Sequence, residues 1–236
     1  MQWTEESIAF LRDAAAMNRY YETIAERIAP QLPKDAHICD AGCGIGELSL
    51  ALKPYCHHVT AVDADALAIK TLKAHLIEGV TARCGDVETL APEKPYDAMV
   101  FCLFGRTQDT LRIAKKQCRG RIFLVKRDYS HHRFSAGQVS LGEYTAGSAE
   151  AVLHEGIPYT VERFTAEFGQ PFRSLEAAER FFALYNRSRS ETLSKDEIRA
   201  RLTAGPSAEF PYYLPHEKAL CLFTIETAAI SKEEAV

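Results

Sequence analysis

The chain has 236 residues, enough for one α/β domain carrying additional segments. Hydrophobic residues make up 47% and charged residues 25%, with a formal net charge of −4; no overall basic footprint marks a nucleic-acid binder, and no DNA partner is expected. No apolar run approaches the length of a membrane span, and Met1 to Glu6 are polar and acidic rather than a signal peptide, so the expectation is a cytoplasmic protein with no membrane partner. The seven cysteines include no C-x-x-C pair and read as small core residues in a reducing compartment.

In chain order, residues 4–29 read as a helix. Ile8, Leu11, Ala15, Ile24 and Ile28 give it one apolar face, and Pro30 and Pro33 close it. His37, Ile38 and Cys39 then lead into Asp40-Ala41-Gly42-Cys43-Gly44-Ile45-Gly46, followed by a helical run over 47–53. That is a strand, a glycine turn and a helix. Gly42, Gly44 and Gly46 let backbone approach a ligand without Cβ atoms in the way, and the N–H groups opening the next helix face the same point. Asp40, at the strand end, suits a cationic ligand better than a phosphate. A second strand, Val59 to Asp63, also ends in an acid, placed where a carboxylate can accept hydrogen bonds from ribose hydroxyls. A helix over 65–77 leads to a third strand over 80–87, which carries Asp86, and Tyr96 to Gly105 form a fourth. A helix over 106–118 precedes a fifth strand over 120–127. Strands alternating with helices imply right-handed parallel crossovers.

With Asp40, the G-x-G-x-G turn, Asp63 and Asp86 at successive strand positions, the chain resembles the class I S-adenosylmethionine-dependent methyltransferases, most closely over residues 35–128. The resemblance implies an α/β, Rossmann-like sheet of seven mostly parallel strands in the order 3-2-1-4-5-7-6, with helices on both faces. It implies S-adenosylmethionine as cofactor. Asp40, Gly42, Gly44 and Gly46 would meet its methionine end, with Tyr20 from the N-terminal helix. Asp63 and Ala64 would meet the ribose, and Asp86, Val87 and Phe101 complete the cofactor set. The last two strands, Tyr159 to Phe168 and Lys218 to Glu226, would pair antiparallel at the sheet edge. No linker divides the chain, so 1–236 reads as a single domain with residues 1–30 as a helical cap.

Two segments exceed the minimal fold. One covers 129–158, with a helix over 148–155 capped by Ser148. The other covers 170–217, with helices over 175–186 and 195–203. Long additions to a scaffold usually shape pockets, and these two are expected to form a lid over the substrate. His131 and His132, just past the fifth strand, are the candidate catalytic bases, since an imidazole titrates near neutral pH. Tyr21, Phe104, Tyr144, Tyr185 and Tyr212 are the candidate substrate contacts. No metal site is expected, because the histidines lack ligand partners at useful spacing. The fourth strand ends Phe101-Cys102-Leu103-Phe104 and lacks the motif by which amino-methylating nucleic-acid enzymes hold their base. That absence argues against a base-modifying DNA enzyme without identifying the substrate; because the expected lid suits a small acceptor, the expected activity is methyl transfer to an O, N or S nucleophile of a small molecule. An NAD-dependent oxidoreductase and a non-catalytic cofactor-binding subunit remain open alternatives, and the oligomeric state is undetermined.

Overall fold

The computed structural model describes residues 2–230. The expected N-terminal helix is two: α1 (Glu5–Met17) and α2 (Tyr20–Ile28). Asn18 divides them. Its side-chain amide donates to the Ala14 and Gly169 carbonyls, ending α1 and tying it to a distant turn. Thr4 and Ser7 form a capping box at the start of α1, and Glu5 and Glu6 complement its dipole.

β1 (His37–Ala41), α3 (Glu47–Leu52), β2 (His58–Asp63), α4 (Ala66–Lys73), β3 (Val80–Cys84), β4 (Tyr96–Cys102), α5 (Thr107–Gln117) and β5 (Cys118–Arg127) follow as alternating units. β3 stops three residues before the expected end, because Gly85 turns the chain at φ 153° and Asp86 caps the next turn by accepting from the Glu88 N–H. α6 (Ala146–Leu153) is capped by Thr145. Ser148, expected at that position, is the return partner in the capping box three residues later. β6 (Thr160–Glu167), β7 (Gln170–Phe172), α7 (Leu175–Tyr185), α8 (Lys195–Ala200), β8 (Thr203–Ala204), β9 (Tyr212–Leu214) and β10 (Glu217–Glu226) complete the order.

The main sheet runs β3-β2-β1-β4-β5-β10-β6. β10 is the seventh strand along the chain to enter it, so the expected order 3-2-1-4-5-7-6 is the observed one. β1 to β5 pair in parallel, and β10 lies antiparallel between β5 and β6. Successive residues alternate between two cores. On one face Met99, Phe101, Ile122, Leu124 and Phe223 pack with α5 and α6. On the other Val100, Phe123, Val125, Leu220 and Leu222 pack with α2 and α3.

A second sheet, β7-β9-β8, was not anticipated. It and α7 enclose a third core in which Phe172, Phe181 and Phe182 surround Phe10 of α1. The cap and the second added segment thus share one apolar centre, reinforced at its rim by ion pairs Arg180–Glu6 and Arg173–Asp13. The first added segment divides its duties. Phe134 joins the third core, whereas Ala146, Ala149 and Leu153 of α6 pack under the main sheet. Among the described residues, no helix is long and apolar enough to cross a membrane.

Candidate active site at the carboxyl edge of the sheet

Two connected cavities open at the carboxyl ends of β1, β2, β4 and β5, the position at which open α/β sheets bind ligands. One, of about 320 Å³, lies beneath the third core. The other, of about 610 Å³, lies against β2 and the β3 turn. They meet at Trp3, Gly42, Gly44, Cys102, Leu103 and Arg127.

Beside the junction, Asp40, the last residue but one of β1, has its side chain buried and in the smaller cavity. Its Oδ2 accepts a hydrogen bond from the Ser49 hydroxyl at 2.6 Å. Burial pushes its pKa from an ordinary 3.8 up to about 6, with the Ser49 hydrogen bond opposing the shift. A carboxylate held this way, against no cation, is a site that a positively charged ligand completes. Gly42 and Gly44 follow at φ 72° and 56°. A Cβ on Gly42 would lie 2.2 Å from the Phe104 ring, and one on Gly44 2.7 Å from the Trp3 indole. Both glycines are therefore required by close approach as well as by conformation.

Asp63 ends β2 in the larger cavity. It accepts from the Gly44 N–H at 2.8 Å through Oδ2 and from the Asp65 N–H at 2.9 Å through Oδ1. A carboxylate has about four lone-pair sites, so half its capacity remains for a ligand's hydroxyls. Ala64, Asp86, Val87 and Phe104 line the same cavity. Asp65, absent from the expected set, fixes the entrance by accepting from the Trp3 N–H at 3.0 Å.

Tyr20, Tyr21, His132 and Tyr185 line the smaller cavity with Asp40. The Tyr20 hydroxyl is buried with no hydrogen-bond partner, an open polar position inside the site. His132 is held through Nδ1 against the Ser135 hydroxyl at 2.9 Å. Burial, then Arg187 and Arg127, lower its pKa to about 4, so its ring is neutral at physiological pH. These donors and acceptors fit S-adenosylmethionine: a buried carboxylate for its cationic amino acid end, a half-satisfied carboxylate for its ribose and a bare backbone turn between them.

Five sequence-based candidates lie outside both cavities. Phe101 faces the α5–α6 core, because alternation along β4 sends Cys102, not Phe101, into the crevice. Gly46 is buried, with its α-carbon against Leu72 of α4, and serves the entry to α3 at φ 89°. His131 is exposed and bridges to Ser140, pointing away from its neighbour His132 as alternation in extended backbone requires. Tyr144 is exposed on a short 3-10 turn. Tyr212 packs against the third core from β9. The basic residues in and after the last turn of α5 are also structural: Lys115 donates to the Ile230 carbonyl, Arg119 pairs with Asp97 and Arg121 with Glu226.

Sequence reasoning missed Trp3, Arg127, His216 and Lys218, all of which line the smaller cavity. Two of them carried a readable signal. Lys218 shares strand parity with the inward residues Leu220 and Leu222, and Arg127 with Phe123 and Val125; β5 and β10 set Arg127 opposite Leu220. The period-two pattern thus points both cations at the sheet face that carries the site.

Residues 38–119 match the family model described as "Methyltransferase domain". No curated protein sequence matches the chain. Among solved structures, a candidate type II methyltransferase from Anaeromyxobacter dehalogenans is similar at a TM-score of 0.58 and 16% identity, over 89% of this chain and 97% of that one. The YcgJ protein of Bacillus subtilis is similar at 0.54 and 16%, over 87% and 97%. The precorrin 8w decarboxylase of Methanobacterium thermoautotrophicum is similar at 0.51 and 19%, over 86% and 88%. At such identities the likeness is one of fold, and the names of these proteins span more than one chemistry. The family match falls on the strand, glycine turn and acids that build the site, within a sheet whose seven-strand order is the one the resemblance implied; over residues 38–119 the chain is similar to a methyltransferase domain.

Proposed function

We propose that the domain methylates a small molecule seated in the roofed cavity beside Asp40. One observation carries this reading. The glycine turn opens on one side to the crevice of Asp63 and Asp86, and on the other to a cavity roofed by Phe134, Phe181 and Tyr185. A roofed cavity of about 320 Å³ suits a compact acceptor rather than a polymer lying across an open face.

In this arrangement Asp40 receives the cofactor's cationic amino acid end, with Tyr20 and Tyr21 beside it. Gly42 and Gly44 give their backbone to the middle of the molecule. Asp63 offers its free lone pairs to the ribose, and Ala64, Asp86, Val87 and Phe104 border the base. When bound, the sulfonium supplies an already activated methyl group, and the protein's part is alignment and exclusion of water. Positioning of this kind can lower a barrier by about 7–11 kcal/mol. Tyr185 borders the acceptor, and the neutral His132 takes the proton from an acceptor that must lose one.

Thermal unfolding of the purified chain tests the reading. S-adenosylmethionine or S-adenosylhomocysteine at a hundredfold excess over Kd should add about 2.7 kcal/mol and several degrees of Tm. Asp63→Ala should remove most of that shift, and the NAD cofactors should give none. The absence of any shift with either adenosyl compound would refute the assignment.

A further inference from the structure

The smaller cavity carries more positive charge than its proposed cofactor can use. Arg127, Arg133, Arg187 and Lys218 line it, against the carboxylates of Asp40 and Glu47 alone. None of the four cations forms an ion pair among the described residues, although thirteen such pairs stand elsewhere in the molecule. Lys218 rests instead on the rings of Phe168 and Tyr20, at 4.2 and 4.6 Å, and Arg133 on the ring of Tyr129 at 5.1 Å. Beside them His216 is 8% exposed, with both ring nitrogens unpartnered, its ring edge-on to Phe134 at 4.9 Å. The groups are close enough to repel one another: after burial, Lys218, Arg133 and Arg127 all lower the pKa of His216.

Charge counting narrows the missing partner. S-adenosylmethionine has a sulfonium, an ammonium and one carboxylate, so it brings a net positive charge into a cavity that is already positive. Its carboxylate satisfies one cation at most, and Arg127, at the junction of the two cavities, is the one placed for it. Arg187 and Arg133 are left over, beside Lys218, whose pKa burial lowers to about 7, and His216 as a neutral hydrogen-bonding group. Of these cations only Lys218 is half-buried, and a half-buried cation without a counter-ion is costly and is normally matched by what binds.

Building on the methyltransferase reading, we propose that the acceptor is an anionic aromatic molecule, its carboxylate or phosphate held by Lys218, Arg187 and Arg133 and its ring held among Phe134, Tyr185 and Phe168. The rim arginines Arg133 and Arg187 are exposed and draw the anion in, while Lys218 and His216 hold it inside.

Calorimetric titration of the full chain saturated with S-adenosylhomocysteine tests this, with 4-hydroxybenzoate, 4-hydroxyphenyl phosphate and the neutral 4-hydroxybenzamide as probes. At least one anion should bind roughly tenfold or more tightly than the amide, and the better anion tells carboxylate from phosphate. Arg187→Glu, at an exposed position, and Lys218→Met, which removes a charge from apolar surroundings, should each weaken anion binding by about tenfold or more. Neither should change the affinity for S-adenosylhomocysteine. Equal binding of amide and anions, no uptake of any probe at millimolar concentration, or anion affinity indifferent to Arg187→Glu would overturn the proposal. Failure to bind S-adenosylhomocysteine would strike the functional reading instead, and the same titration on unloaded protein would still decide the charge assignment.

Discussion

Asp40 shows how a single side chain can trade stability for binding. Burial raises its folded-state pKa from 3.8 to about 6, so the folded chain keeps a proton there that the unfolded chain has already lost. Folding stability from this group therefore falls as pH rises through that window. The penalty is absent below about pH 4 and complete above about pH 6, where it amounts to about 3 kcal/mol. Asp40→Asn removes the charge while keeping a partner for the Ser49 hydroxyl. Unliganded Asp40→Asn should melt higher than wild type at pH 8, by a margin worth about 1–3 kcal/mol, and should lose that margin at pH 4. The same substitution should abolish the stabilisation by adenosyl ligands, and wild-type affinity for them should fade below about pH 6. A lower melting temperature for the variant at pH 8 would show that the buried carboxylate is not the strained group described here.

Strands and turns account for most of what could be read in advance. The glycine turn and the acids closing β1 and β2 were legible because local chemistry dictates them: only glycine tolerates φ near 60–90° with an aromatic ring against its α-carbon, and a strand-end acid meets whatever the turn binds. The order of the main sheet was legible through family resemblance, since pairing between β5 and β10, ninety residues apart, leaves no local mark. Boundaries failed where a side chain outside the periodic pattern intervened, as Asn18 does between α1 and α2. The sheet of β7, β8 and β9 escaped notice because strands of two or three residues have no period to detect. Phe101 was misplaced by one position of strand parity, and the same parity, applied to β5 and β10, would have found Arg127 and Lys218. His216 and Trp3 belong to no periodic element, and only the assembled molecule brings them to the cavity.

Across the whole molecule, the roof of the smaller cavity comes from segments far apart in sequence. Phe10 of α1 meets Phe181 of α7 edge to face at 5.3 Å and Phe172 of β7 at 6.1 Å. Removing that ring leaves a hole where cap and added segment join, costing on the order of 3–5 kcal/mol. In hydrogen exchange, Phe10→Ala should deprotect α7 and β7 well before the strands of the main sheet, and acceptor affinity should fall further than cofactor affinity. Uniform loss of protection over both sheets would argue that roof and scaffold unfold as one unit.

Trp3 is the chain's one tryptophan, and it sits on Gly44 where the two cavities join. A lone fluorophore thus stands where the two cavities share their lining. Its emission should shift or quench as that junction fills, giving an unlabelled optical readout of occupancy; excitation near 295 nm would report on this residue and no other, and a spectrum indifferent to saturating S-adenosylhomocysteine would mean that the ligand enters elsewhere.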